Sequence, residues 1–335
     1  MLGERRSRAY ENIRTTIIHI NVLIMRFFSL FLLIVGFSFS ACSNAAVIQH
    51  SLVSDTNRIR NDLNWIVHTS KYRNYKNIET LNEVAGYIKG EFSKVSDSVT
   101  EQPYNLTIGS YKNIICSFGT QNKERIIVGA HYDVCGDQDG ADDNASGVAG
   151  ILELARLLSK EKLKYRIDLV AYTLEEPPLF SSEYMGSAIH ARSIKSNHVD
   201  VLGMISLEMI GYFSDEAKSQ SYPVGMLRWF YGDKGNFIIV AQKWGNGKFG
   251  RRMLKLMKEN QFLPTKSFKA PKFLGGIDLS DHRNYWENGY SALMVTNTSY
   301  YRNKNYHEKT DKIETLDIKR MALVIDEVLV ALKKY

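Results

Sequence analysis

His131, Asp142, Glu175, Glu176, Glu208 and His307 are of types that bind a metal or move a proton, and most of them sit where an apolar run stops. His131 follows Ile126-Ile127-Val128-Gly129-Ala130, Glu175-Glu176 follows Ile167 to Leu174, and Glu208 follows Val201 to Leu207. One acid at a strand end is ordinarily a solvated surface group. Several such positions converging on one sheet edge make a nitrogen and oxygen donor set suited to zinc, with manganese or cobalt as alternatives. Charge favours two ions over one. Asp142, Glu176 and Glu208 bring three negative charges and a hydroxide would bring a fourth, which together balance two divalent cations. A carboxylate shared between the ions would hold them roughly 3.5–4 Å apart.

The elements that must position these residues are legible around 126–158. Ile126 to Ala130 has the unbroken apolar character of a strand buried on both faces. A Gly- and Asp-rich loop follows, and Val148, Ile151, Leu152, Leu154, Ala155 and Leu158 recur at helical spacing, with Asp143 or Asn144 available to cap the first turn. The edge beyond the carboxyl ends of strands is where ligands bind in open α/β sheets.

Helices are expected around Ile59–Val67, Ile78–Phe92, Met185–Ser196, Phe249–Met257 and from near Thr315 to the terminus. Strands are expected at Leu106–Phe118, Arg125–Ala130, Ile167–Leu174, Val201–Leu207, Phe237–Val240 and Ala292–Thr296. The alternation predicts an α/β fold of three layers, α/β/α, with a mixed, mostly parallel central sheet. Between about 211 and 235 the period fails, and an irregular insertion is expected. Its aromatic residues Tyr212, Phe213, Trp229, Phe230 and Tyr231 either wall a pocket or pack into the core.

The ordered set His131-x-Asp133, Gly140-Ala141-Asp142-Asp143-Asn144-Ala145-Ser146-Gly147, Glu175-Glu176, Leu207-Glu208-Met209-Ile210-Gly211, Ser280-Asp281-His282 and Tyr306-His307-x-x-x-Asp311 resembles the clan MH zinc exopeptidases. That group holds bacterial dinuclear-zinc leucyl aminopeptidases, glutamate carboxypeptidases and glutaminyl cyclases, and the likeness runs from about Ile126 to the C-terminus. It implies the phosphorylase/hydrolase-like exopeptidase fold and two zinc ions. His131 and Glu208 would be terminal ligands of one, Glu176 and His307 of the other, with Asp142 bridging both. Glu175 would be the general base, taking a proton from the attacking water and passing it to the leaving amine. Asp133 would orient the His131 imidazole, Asp281 would play a similar supporting part, and a cis peptide would join Asp142 to Asp143. Glu208 departs from the aspartate more usual in the family's aminopeptidases, yet it is still a carboxylate that can reach a metal.

The activity so implied is removal of N-terminal residues from peptides. The alternatives are a single-zinc glutaminyl cyclase and a non-catalytic binding module on the same fold. The first generally lacks the full ligand set and the second has no need of a proton shuttle at Glu175. Of the remaining histidines, His190 and His198 are expected on a surface helix and its exit, and His282 either touches substrate or packs. Tyr300, Tyr301 and Arg302 lead into His307, where a hydroxyl could face the oxyanion or Arg302 could grip a substrate carboxylate.

Of the formal charge of +7, five arginines against two glutamates before Cys42 account for +3, leaving +4 for the remainder. No basic stripe is present, which argues against nucleic acid as a partner. Met25-Arg26 followed by an apolar run to Phe39 has the form of an export signal, with translation starting at Met1 or Met25. Ser40-Ala41-Cys42 resembles a lipoprotein cleavage site, although Phe39 is unusual there. The domains read as 1–42 signal, 43–54 linker and 55–335 catalytic domain, placing the mature protein outside the cytoplasm, either on a lipid anchor at Cys42 facing the periplasm or, with a plain secretory signal, secreted; an uncleaved anchor is the remaining alternative. Cys116 and Cys135 are left open between a disulfide and two free thiols. Cys135 lies near His131, but no thiolate site is expected from its neighbours in sequence. Metabolic labelling with a lipid precursor is expected to tag the wild type and not Cys42→Ala; an unlabelled wild type would reject the anchor.

Overall fold

The computed structural model describes residues 52–271 and 276–335; the export signal, Cys42 and the linker up to residue 51 lie outside the described residues. Helices α1 (Thr56–Val67) and α2 (Ile78–Ser93) lead into strands β1 (Val99–Leu106), β2 (Gly109–Phe118) and β3 (Arg125–His131). Helix α3 (Gly147–Leu158), β4 (Arg166–Tyr172), α4 (Gly186–Ser196) and β5 (Val201–Glu208) follow. Then come the short α5 (Leu227–Tyr231), β6 (Ile238–Lys243), α6 (Gly247–Asn260), β7 (Thr265–Ala270), α7 (His282–Glu287), β8 (Ala292–Thr296) and α8 (Ile318–Lys334).

The eight strands form one mixed sheet in the order β1-β2-β4-β3-β5-β8-β6-β7. Its centre, β4-β3-β5-β8, is parallel. Strands β1, β2 and β4 pair antiparallel, as do β8 and β6, and β7 pairs parallel with β6. Successive side chains of a strand face opposite ways, and this sorts the apolar residues into layers. Ile126, Val128 and Ala130 of β3, with Ile167, Leu169 and Ala171 of β4, join the large core under α3 and α8. Ile127, Val170 and Tyr172 face the other way, onto Ala191 and Ile194 of α4 and Tyr285 and Trp286 of α7. The apolar runs are continuous because both faces are covered.

The chain leaves β3 for β4 on one side and returns to β5 on the other. That reversal opens a crevice beyond the carboxyl ends of β3 and β5. His131 is the last residue of β3 and Glu208 the last of β5.

Both outer strands depart from the sequence expectation. Leu106 closes β1, and a turn separates it from β2. The strand β1 carries Pro103 in the middle of a polar run; proline is tolerated there because β1 is an edge, where an absent N–H breaks no inner ladder. The other edge, β7, reads Thr-Lys-Ser-Phe-Lys-Ala and is mostly half-buried, so it lacks an apolar signature. The α4 residue His190 is buried, its Nδ1 2.5 Å from the Tyr285 hydroxyl, because α4 and α7 pack against each other on one face of the sheet. His282 is a packing residue too: Nε2 meets the Ile277 carbonyl at 2.7 Å and the ring lies edge-on to Trp286.

Helix α8 carries Glu327 into the interior, where Thr265 Oγ1 donates to its Oε2 at 2.6 Å and Oε1 has no partner. Burial pushes this carboxyl up to about 8, from an ordinary 4.5. A raised carboxyl stabilises the fold fully below its unfolded value and loses that contribution as pH rises through its folded value. Glu327→Gln stays neutral. Its stability advantage over wild type is expected to grow by on the order of 1–3 kcal/mol between about pH 5 and pH 9. Denaturant titrations at both pH values check this, and a pH-independent difference would contradict it.

Candidate metal centre

The loop from β3 to α3 is shaped by one glycine and one arginine. Gly140 has φ +57°, and a Cβ there would fall 2.3 Å from the Asp143 carbonyl oxygen, so only glycine fits the turn. Arg73, buried in the α1–α2 connection, donates to the carbonyls of Asp139 and Gly140, the latter at 2.6 Å. Asp311 then takes the N–H groups of Asp142 (3.0 and 3.1 Å) and Asp143 (3.0 Å). Between them these contacts fix which way residues 140–144 project.

The outcome differs by one residue from the expectation. Asp142 does not enter the site. Its Oδ1 accepts from the N–H groups of Gly211 at 2.9 Å and Tyr212 at 3.2 Å, and its Oδ2 accepts from Nδ2 of Asn297 and of Asn303, both at 2.8 Å. With both oxygens so engaged, it ties three loops together and has no lone pairs to offer an ion. The next residue, Asp143, stands between the two imidazoles instead: Oδ1 lies 3.4 Å from His131 Nε2 and Oδ2 lies 3.2 Å from His307 Nε2. The cis peptide is likewise one residue on, at Asp143–Asn144.

Around this bridge the other side chains divide into two sets. On one side His131 Nε2 is 3.4 Å from Glu208 Oε2 and 3.8 Å from Glu175 Oε2. Glu208 is held by Ser280 Oγ at 2.7 Å and by Asn144 Nδ2 at 3.3 Å. On the other side His307 Nε2 is 3.1 Å from Glu176 Oε2, and the His307 ring stacks on Tyr306 at 3.8 Å. Asp133 faces His131 Nδ1 with its carbonyl at 3.3 Å and its Oδ1 at 3.6 Å. It also does something the sequence did not announce, accepting the N–H groups of Glu175 and Glu176, each at 3.1 Å. Asp281 is buried nearby, and its carboxylate makes no hydrogen bond to His131. Leu174, Met209 and His307 all have positive φ, so left-handed backbone brackets the acids at both strand ends.

Electrostatics shows how crowded this pocket is. Burial pushes Glu175 far above the carboxylate range, Glu176 up to about 8, and Glu208 upward. Burial would raise Asp143 too, but the imidazoles of His131 and His307, one facing each oxygen, hold it below the usual range. Burial opposes the imidazolium of His307, yet Asp143 and Glu176 raise it to about 10. Protons are thus drawn into a place suited to cations. Asp143 Oδ2, Glu176 Oε1 and His307 Nε2 are buried without a hydrogen bond, their close approaches being out of alignment. Orphaned lone pairs on an imidazole and carboxylates, converging within a few ångströms, fit a divalent metal. His131, Glu208 and Asp143 would hold one ion, and Glu176, His307 and Asp143 another.

Trp229 and Phe230 are exposed to solvent and do not pack into the core. Arg302 is buried, Nε on Gln220 at 2.8 Å and its guanidinium over Phe237 and Phe213, so it is not offered to a substrate carboxylate. Cys135 and Cys116 are both free thiols, and Cys135 lies beside Glu176 and His307.

Residues 113–332 match the family model described as peptidase family M28. A relative from Escherichia coli, the uncharacterised protein YfbL, is 41% identical over 283 residues, covering 82% of this chain and 87% of that protein. Among solved structures, the Legionella pneumophila LapA aminopeptidase superposes with a TM-score of 0.65 at 18% identity, over 87% of this chain and 80% of the other. The glutaminyl cyclase of Porphyromonas gingivalis does so with a TM-score of 0.65 at 17% identity, over 85% and 99%. At such identities these structures share the fold.

The roles of the two adjacent aspartates separate by substitution. Asp143→Ala is expected to lower bound metal while leaving the metal-free protein near wild-type stability. Asp142→Asn is expected to destabilise the metal-free protein by about 1–3 kcal/mol, because buried donors lose an acceptor. Metal analysis with denaturation of the metal-free proteins checks both; full metal in Asp143→Ala would remove it from the bridge.

Proposed function

The chain belongs to peptidase family M28, and on that premise we propose that it is a dinuclear-zinc aminopeptidase that removes N-terminal residues from peptides. The observation that carries the reading is the span of Asp143, one oxygen toward His131 and the other toward His307, with a further carboxylate beside each imidazole. Zinc ions bound there would polarise the scissile carbonyl and lower the pKa of a water molecule.

The protein's own part is proton handling and placement. Glu175 follows Leu174 at the end of the β4 segment, with its main chain pinned by Asp133. Its carboxylate meets His131 and Glu176 in one cluster, where it can take the proton of the attacking water and give it to the leaving amine. The buried N–H contacts to Asp133 hold Glu175 and Glu176 in register, so base and ligand are placed by the same hinge of backbone. The surplus of carboxylates suits a substrate's terminal ammonium, and the burial of Arg302 takes away the cation that a carboxypeptidase reading would employ. A single-zinc cyclase would leave the His131 and Glu208 set without a purpose, and a binding module would leave Glu175 without one. Export and a lipid anchor at Cys42 would place this activity outside the cytoplasm.

Glu175→Gln is expected to keep the wild-type metal content and lose activity on aminoacyl substrates by about 10²–10⁴-fold. Metal analysis alongside turnover on a panel of aminoacyl, carboxyl-terminal and glutaminyl substrates checks it. Unchanged turnover would refute the base, and turnover confined to glutaminyl cyclisation would replace the peptidase reading.

A further inference from the structure

We infer that Cys135 is a ligand of the ion held by Glu176 and His307, so that this ion is bound by a thiolate while the other keeps an open position. The inference rests on the dinuclear reading above. The sulfur of Cys135, a carboxylate oxygen of Glu176 and a ring nitrogen of His307 all lie within 4.8 Å of one another. Two of the partners are unspent: Glu176 Oε1 and His307 Nε2 are buried and make no hydrogen bond, and Glu176 is only 4% exposed.

Cys135 is not a surface thiol that happens to pass by. The residue before it is anchored through the Val134 N–H on the Arg73 carbonyl at 3.2 Å. The residue after it is anchored through the Gly136 carbonyl, which accepts from Asn74 Nδ2 at 2.8 Å. One step further back, Asp133 is tied to Glu175 and Glu176. The loop therefore presents the half-buried thiol to Glu176 and His307 from a fixed frame. Cys116, by contrast, is buried in the apolar core and faces no such donors.

Counting donors then distinguishes the two ions. Cys135, His307, Glu176 and Asp143 make four protein ligands, the number that closes a tetrahedral zinc site. His131, Glu208 and Asp143 make three, the number that leaves a coordination position free, and that position lies on the Glu175 side of the bridge. When zinc binds, the thiol proton leaves to solvent and a sulfur lone pair forms the bond to the metal. A thiolate also biases the closed site toward soft ions such as zinc and cadmium over manganese.

X-ray absorption at the zinc edge tests this on the full zinc-loaded protein. The wild type is expected to show a sulfur scatterer at about 2.3 Å that is missing from Cys135→Ser. Competition between cadmium and manganese is expected to shift by at least about tenfold toward manganese in the same variant. Two bound zinc ions with nitrogen and oxygen scatterers alone would overturn the role of Cys135 and leave the dinuclear reading standing. A sulfur signal that survives Cys135→Ser would overturn it as well, and a protein that binds no zinc would overturn both readings.

Discussion

Like charge concentrated in a dry pocket is the constraint that the site depends on. Glu175, Glu176, Glu208 and Asp143 are each nearly sealed from solvent and lie within a few ångströms of two imidazoles. Ionised carboxylates buried this closely repel one another and lose hydration. Without divalent cations the pocket must take up protons, which is the sense of the upward shifts at Glu175, Glu176 and Glu208. Asp143 is the exception because an imidazole faces each of its oxygens. The same arrangement that makes the acids costly in isolation suits them to hold divalent cations.

Much of the surrounding structure exists to hold that geometry. The parallel strands β3 and β5 bring His131 and Glu208 to one edge at the point where the strand order reverses. The bridge is then fixed by long-range hydrogen bonds and not by local chain preference. Asp311 grips the N–H groups of residues 142 and 143, and Asp142 fastens the loops after β5 and β8. Asp133 does the same for the Glu175–Glu176 pair. Carboxylates thus act in two ways here, some facing the pocket and some satisfying backbone donors behind it.

This division explains what the sequence could and could not show. Buried parallel strands and amphipathic helices were legible because burial on both faces writes itself as apolar runs, as in Ile126 to Ala130. The edge strands β1 and β7 were not, since a strand with one unpaired side and a solvated face carries no such run. His131, Glu175, Glu176, Glu208 and His307 were legible as a set from type and order. Choosing between Asp142 and Asp143 was not, because adjacent acids look alike in sequence and the partners that choose between them lie far along the chain, at Gly211, Asn297, Asn303 and Asp311. The nearness of Cys135 to Glu176 and His307 was not legible for a related reason: those neighbours come from distant segments, and spacing from His131 alone does not reveal them.

The most direct measurement is anomalous diffraction at the zinc absorption edge from crystals of the protein. The account predicts two peaks, one on each side of the Asp143 carboxylate and roughly 3.5–4 Å apart, the first against His131 and Glu208 and the second against Glu176 and His307. A single peak, or ions seated on Asp142 instead of Asp143, would contradict it.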